Sequence, residues 1–514
     1  SKTNTLPGMA SEESWSVARF ALLSRFFVIT LQILSNLLIP DHDAGVFNPP
    51  VTGIEKFSVV DKIIFFIFGG FRRWDAIYFL HIAQHGYTYE NCVAFFPMYP
   101  LMVSTVKILT PLCPFMSESS LLLMFAVTLN VVVFIIAAVA LLQLGQIVTQ
   151  DHQLAYCAAV LFCINPASVF MTAPYTEALF ACLSFGGMIC VHEGKLLAGA
   201  VLIGGSAFTR SNGLVSIGFI LHHCATKYIH RLTLVYGARH IRGLRLANKL
   251  ANETVIYGVG ALSLVVVSAI PFAGHQSYIY NLFCFPEDQG GVRASVESAI
   301  IEYGQEKGYK MVGESHTSPW CFSPLPLSYS YIQSHHWGVG LLAYYTVKQI
   351  PNFILAAPVI TLSFFACYSY CCKNREACRV LGLIKTEKTK VETVGSHTQE
   401  EEKSGWRNPE LVVYVLHLFF LTVFGCLFMH IQVVTRFLCS ASPVIYWFAA
   451  YLLQPPSYSK WSESHFIDSS EPISLSTWWT LYSNGSTAGR CVLIFFMGYF
   501  VVGTVAFSNF LPWT

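Results

Sequence analysis

Residues 120–148 read SLLLMFAVTLNVVVFIIAAVALLQLGQIV, with no Lys, Arg, Asp or Glu among them. A helix crosses the hydrocarbon core of a bilayer in about 20 apolar residues. The stretch is therefore predicted to span a membrane. The rest of the chain has the same character. Of its 514 residues, 54% are hydrophobic and only 12% are charged, and the mean hydropathy is +0.52. A soluble domain carries about 25% charged residues. The composition points to an all-α polytopic membrane protein, a bundle of spans around its own polar interior. A net charge of +2 gives no case for a nucleic-acid partner.

Working outward from 120–148, further spans are expected near 17–39, 95–113, 153–171, 174–192, 196–223, 255–276, 349–372, 409–430, 434–454 and 489–510. The segments 95–113, 153–171 and 174–192 carry the weakest signal. Pro97, Pro100, Pro166 and Pro174 break this region and predict interrupted or re-entrant helices. The first apolar segment reads as a retained span rather than a cleaved signal peptide. Residues 1–8, which precede Met9, read as an expression remnant and carry no expected role.

Orientation follows from the connecting segments. Residues 224–251 hold Lys227, Arg231, Arg239, Arg242, Arg245 and Lys249, and residues 373–408 are also rich in Lys and Arg. By the positive-inside rule both are cytosolic loops. The expected organisation is then a cytosolic N-terminus over 1–16 and one transmembrane domain over 17–514. The large loops 40–94 and 277–348 share the far side. Residues 57–70 read as an interfacial helix. The sequon at Asn252 falls on the cytosolic side, and that at Asn484 depends on whether 434–454 crosses.

Most of the 16 cysteines lie inside apolar runs, where they act as small hydrophobes. No CxxC or CxxH pattern with metal-site spacing occurs. Cys284 and Cys321 share one far-side loop, and a disulfide between them fits an oxidising compartment. Free thiols, or a bond from Cys92 in the other loop, are the alternatives.

The residues that could carry chemistry start with GGFRRWDAIYFLHIAQHGY, residues 69–87. Asp75 follows Arg73 and Trp74 and opens an apolar, helix-like run. A helix start favours a carboxylate, so capping is one reading, and a catalytic acid at the membrane surface is the other. Asp41 and Asp43 follow the first span at the same surface. "DHD" at 41–43 has the form of a metal-binding triplet but sits on a membrane-edge loop, and no metal is expected. Glu177 and Arg210 lie inside apolar runs, where an ionisable group suggests function or a mutual ion pair. Arg436 stands at a break between two apolar segments. It would either reach for the interface or hold a phosphate. His85 is a lone loop histidine. Trp337 belongs to an aromatic cluster suited to a membrane interface or to a sugar ring. G-x-x-x-x-G-K, G-x-S-x-G and H-E-x-x-H are all absent from the sequence. A transporter would share the polar interior and the broken helices, but no internal repeat is visible.

Seven stretches together resemble a known family. RRWDAIYFLHIAQHGY (72–87) followed by FFPMYP (95–100) resembles the first-loop pattern of multi-spanning glycosyltransferases with the GT-C fold. NPASVFMTAPYTEALFA (165–181), RSNGLVSIGF (210–219), YSYIQSHHWGVGLLAYYTVKQIPNFILAAP (329–358), QVVTRFLCSASPVIYWF (432–448) and NFLPWT (509–514) resemble the PIG-V type, GPI mannosyltransferase II. The resemblance implies a GT-C bundle of about 10–11 transmembrane helices with two large luminal loops. It implies a multi-pass enzyme of the endoplasmic reticulum membrane with a luminal site. The donor would be dolichyl-phosphate mannose, with no metal or other cofactor, and the acceptor a mannosylated GPI precursor glycolipid that receives its second mannose in α1,6 linkage with inversion. It leaves room for a small membrane partner subunit. The runner-up readings are a transferase with another acceptor and a lipid or sugar transporter. Under this resemblance Asp75 is the expected base, with Asp41 behind it. Arg436 is the first candidate for the phosphate, followed by Arg210 and Arg73, and Trp74, His85, Glu177 and Trp337 are further substrate-binding candidates.

Overall fold

The computed structural model describes residues 7–43, 45–51, 57–237, 243–285, 294, 296–314, 317–384, 404–454 and 473–513. Among them are helices and turns with no β-strand, and one isolated bridge joins Tyr89 and Met311. The chain is an all-α polytopic membrane protein. Six helices are long and apolar enough to cross a bilayer: Glu12–Leu38, Glu118–Thr149, Leu244–Cys284, Val347–Lys373, Pro409–Phe428 and Thr487–Ser508. A seventh crossing is available if Ile431–Ala441 and Val444–Leu453, bent by 83° at Ser442–Pro443, count as one broken span. Three apolar helices are shorter: His152–Cys163, Glu177–His192 and Leu196–Thr209. The expected figure of ten or eleven counted these short helices as full spans.

The helix Glu118–Thr149, α1 here, begins where Ser117 accepts a hydrogen bond from the Ser120 amide and ends at Gln150 in a left-handed conformation. Its apolar side chains face both neighbours and lipid. Leu244–Cys284 (α2) shows the lipid side most clearly, with Val255, Val259, Leu262, Val266 and Ile270 exposed along it. In water such a stripe would be a liability, and in a bilayer it is the solvated face.

Three expected boundaries are corrected. Residues 95–113 form no span. They fold as a seven-residue helix, Met98–Ser104, followed by the 3-10 turn Thr105–Leu112. Pro97, Pro100 and Pro111 each remove an amide donor, which prevents one continuous helix. Residues 196–223 are not one span either. Leu196–Thr209 (α3) stops at Arg210, whose backbone is extended, and Ile217–Gly237 (α4) starts after a 3-10 turn. Gly213 makes the reversal possible, because a Cβ there would lie 2.3 Å from the Ala207 amide nitrogen. Finally, the segment 224–251 is not a loop. Its described residues continue α4 and begin α2, which pair side by side through Arg231 Nε to Glu253 Oε1 at 3.0 Å and Tyr228 to Thr254 at 2.7 Å. The basic residues there decorate a helical hairpin, while Arg239 and Arg242 lie outside the described residues, as does most of 373–408. Within the expected 57–70 segment a helix is present as Val59–Phe68, capped by Ser58 and Asp61.

The break after His152–Cys163 is stitched by a residue the sequence reading passed over. Arg25 is fully buried on the first helix, Pro7–Leu38, which begins ahead of the expected boundary at residue 17. Its guanidinium donates to the carbonyls of Cys163 and Ser168, to the Ser168 hydroxyl and to Thr172 Oγ1, at 2.5–3.0 Å. Pro166 interrupts the helix there, and the arginine satisfies the carbonyls left over.

The segments 40–94 and 277–348 pack on each other through a second apolar core that includes Phe47, Tyr78, Tyr89, Ile279, Ile300 and Trp320. Cys284 and Cys321 are joined by a disulfide with Cα atoms 5.6 Å apart, and Cys92 is a buried free thiol. Glu90 locks the two segments together. It accepts from the Ser318 hydroxyl and from Trp320 Nε1 at 2.9 Å, and it lies 3.9 Å from Lys310 and 3.7 Å from His336.

Candidate active site

The helix Asp75–His85 (α5) presents Asp75 at its first turn. The preceding residue, Trp74, has φ +53°, an uncommon conformation for a bulky residue. Such strain costs about 1–3 kcal/mol and persists only where the surroundings impose it. Here it turns the chain so that the Asp75 amide donates to the Tyr175 hydroxyl at 3.0 Å. The Asp75 carboxylate does not cap its own helix. It accepts a hydrogen bond at 2.7 Å from Nη2 of Arg436.

Arg436 comes from Val434–Ala441, the first half of the bent pair. Rather than reaching for the interface, its guanidinium turns inward. Its central carbon sits 5.2 Å from the Phe170 ring centroid and 5.4 Å from that of Tyr175, close enough for cation–π attraction. Its Nη1 lies 3.7 Å from Oε1 of Glu177. Glu177, fully buried at the start of the helix Glu177–His192, also takes a close hydrogen bond from Arg210. Arg210 reaches Thr176 Oγ1 as well, at 3.2 Å. The expected Glu177–Arg210 pair is thus present and forms one half of a larger group. Two carboxylates and two guanidiniums meet at the ends of four separate elements. Burying four charges is costly unless they are mutually paired, and here they are.

The pairing is incomplete in a particular way. Glu177 Oε2, Arg436 Nε, Trp74 Nε1, Thr435 Oγ1 and Ser442 Oγ are buried without a protein partner. Asp75 is the open edge of the group, with its side chain 25% exposed against 14% for Arg436 and none for Glu177. A partly exposed carboxylate can accept a proton, and a guanidinium fork with a spare N–H can hold an anion.

The other candidates fall elsewhere. Asp41, 46% exposed, pairs with Arg73 at 2.8 Å. Arg73 also donates to the carbonyls of Ser508 and Gly69 and lies over the Phe510 ring at 4.5 Å. These contacts, with Trp74 against Phe510 at 6.0 Å, tie the start of α5 to the end of the chain. His85 lies at the far end of α5, about 15 Å along an 11-residue helix from Asp75. It lines a cavity of about 30 Å³ with Arg72, His81, Gln84 and Ser119. Burial, with Lys107 nearby, pushes His85 down to about 4. Trp337 packs edge-on against Tyr78 at 6.0 Å and Phe95 at 6.2 Å, one turn of α5 from Asp75. Among the described residues no group of three or more His, Cys, Asp or Glu side chains could hold a metal ion. Sequence reasoning missed Tyr175 and Phe170. Their one signal is their place in the proline-broken stretch around Glu177.

An all-α bundle of apolar helices, with a charged, partly closed site at the joints of broken helices, defines a multi-pass membrane protein with buried polar chemistry. The family model described as Mannosyltransferase (PIG-V) matches residues 13–514. GPI alpha-1,6-mannosyltransferase 2 of Mus musculus is 38% identical over 519 residues, covering 99% of this chain and 100% of that protein. The Homo sapiens protein of the same name is 37% identical over 513 residues, covering 97% and 98%. GPI mannosyltransferase 2 of Drosophila melanogaster is 34% identical over 511 residues, covering 97% and 99%. The chain belongs to the PIG-V mannosyltransferase family and is a glycosyltransferase.

Proposed function

We propose that this enzyme transfers the second mannose, in α1,6 linkage, from dolichyl-phosphate mannose to a GPI-precursor glycolipid, at the luminal face of the endoplasmic reticulum membrane and without a metal. The full-length similarity to proteins named for GPI α1,6-mannosyl transfer supports the donor sugar, the linkage and the acceptor class. The disulfide beside the α5 segment supports a luminal site, because such bonds persist in oxidising compartments. The basic hairpin of α4 and α2 then faces the cytosol.

The observation that carries the mechanism is the 2.7 Å contact between Asp75 and Arg436 at the open edge of the site. Inversion needs one displacement. The acceptor hydroxyl oxygen bonds to the anomeric carbon, the bond from that carbon to the phosphate oxygen breaks, and the hydroxyl proton goes to Asp75 as general base. Dolichyl phosphate leaves with one more negative charge, which Arg436 stabilises. Glu177, itself paired with Arg210, lies 3.7 Å from Arg436 and balances its charge. Purified enzyme given dolichyl-phosphate mannose and a one-mannose GPI precursor tests the reading. An α1,6-linked two-mannose product supports it, and failure to use this donor and acceptor, with transfer to another acceptor, refutes it.

A further inference from the structure

Arg436 faces two carboxylates and holds only one of them closely, Asp75 at 2.7 Å against Glu177 at 3.7 Å. The atoms left over are complementary. Arg436 Nε is an unused donor and Glu177 Oε2 an unused acceptor, both buried. Glu177 is fixed in place by burial and by Arg210, whereas Asp75 reaches the site from its exposed edge. A guanidinium hydrogen-bonded to a carboxylate oxygen occupies a lone pair that an incoming proton would use. The arrangement therefore holds Arg436 on the very group that must take a proton. Among the described residues, the other charged and titratable groups near Asp75 offer no substitute cation. Tyr175 and Tyr78 are phenols, Arg210 is occupied by Glu177, and Arg73 is occupied by Asp41.

We propose that Glu177 is a positioning residue that takes Arg436 over from Asp75 when the anionic headgroup of the donor enters, so that Asp75 becomes a free base only in the donor-loaded enzyme. One edge of the planar guanidinium then serves Glu177 and the other the phosphate. This rests on the reading of Asp75 as base given above. It makes donor binding a precondition of proton transfer.

The first test uses the unaltered full-length enzyme with dolichyl-phosphate mannose and no acceptor. This donor is a phosphodiester and does not itself titrate near pH 5. Calorimetric titrations near pH 5, in buffers of different ionisation enthalpy, should show net proton uptake on donor binding, and that uptake should vanish in Asp75→Asn. Donor binding without proton uptake overturns the proposal. The second test is Glu177→Gln. Its kcat should fall at least about 10-fold with little change in donor KM, because Asp75 stays paired. A wild-type kcat overturns the proposal. Inactivity of Asp75→Asn alongside either negative result leaves the base reading standing while the handover falls. An active Asp75→Asn removes both.

Discussion

Asp75 and Arg436 stand 361 positions apart in the chain and share a 2.7 Å charge-assisted hydrogen bond. The contact joins a short helix outside the spans to the bend of a broken one. It exists because the chain is strained at Trp74 on one side and interrupted by Pro443 on the other. Around it, Glu177 and Arg210 complete a set of four charges that runs from the fully buried Glu177 to the partly exposed Asp75.

If Asp75 is the base, Asp75→Asn should keep the fold and still bind donor while lowering kcat by about 10²- to 10⁴-fold. Arg436→Ala should instead weaken donor use, seen as a higher KM for dolichyl-phosphate mannose together with a lower kcat. Steady-state transfer kinetics on purified enzyme separate the two patterns. Near-normal turnover by Asp75→Asn would remove its assignment.

Arg25 is a structural prediction independent of the chemistry. Arg25→Met should strand the Cys163 and Ser168 carbonyls, each orphaned buried group costing roughly 1–3 kcal/mol. Arg25→Lys should rescue little, because one ammonium cannot reproduce the fork. Thermal unfolding in detergent should show both variants well below wild type.

Acid should destabilise the region around α5. His81 and His85 are both held below the ordinary imidazole range, first by burial. The unfolded chain takes up these protons more readily than the folded one. Stability from keeping the rings neutral is thus present above about pH 6.5 and is lost as pH falls from there toward 4. Melting curves between pH 7.5 and about 5 should show this decline, and His85→Gln should flatten it.

The disulfide closes a loop of 37 residues. Loop-closure entropy gives it about 4 kcal/mol of stabilisation in the simplest treatment. Cys321→Ser should lower the melting temperature and make the segment 277–348 more sensitive to protease. Cys92→Ser, at a thiol outside the bond, should leave the disulfide intact on a non-reducing gel of proteolytic fragments.

The long apolar helices could be read from the sequence because residues such as 120–148 carry nothing but membrane-compatible side chains. Arg210 was visible as an oddity, yet the split it marks between α3 and α4 was not. That split depends on Gly213 packing against the backbone of Ala207, a contact no periodicity reveals. Residues 95–113 looked apolar enough to span, and their three prolines decided otherwise. For the site, Asp75, Glu177, Arg210 and Arg436 all stood out as charges in apolar surroundings. Which pairs with which is tertiary information. The sequence joined Glu177 to Arg210 and left Asp75 and Arg436 with separate roles. Tyr175 was hidden among 25 tyrosines, and Arg25 among residues whose burial only the fold discloses.

The most direct test of the central claim is the mass-resolved glycolipid profile of cells lacking this protein, rescued with wild type or Asp75→Asn at equal expression. The expected result is a one-mannose GPI precursor that accumulates in the null cells, disappears with wild type and persists with Asp75→Asn. A normal GPI profile in the null cells would contradict the account.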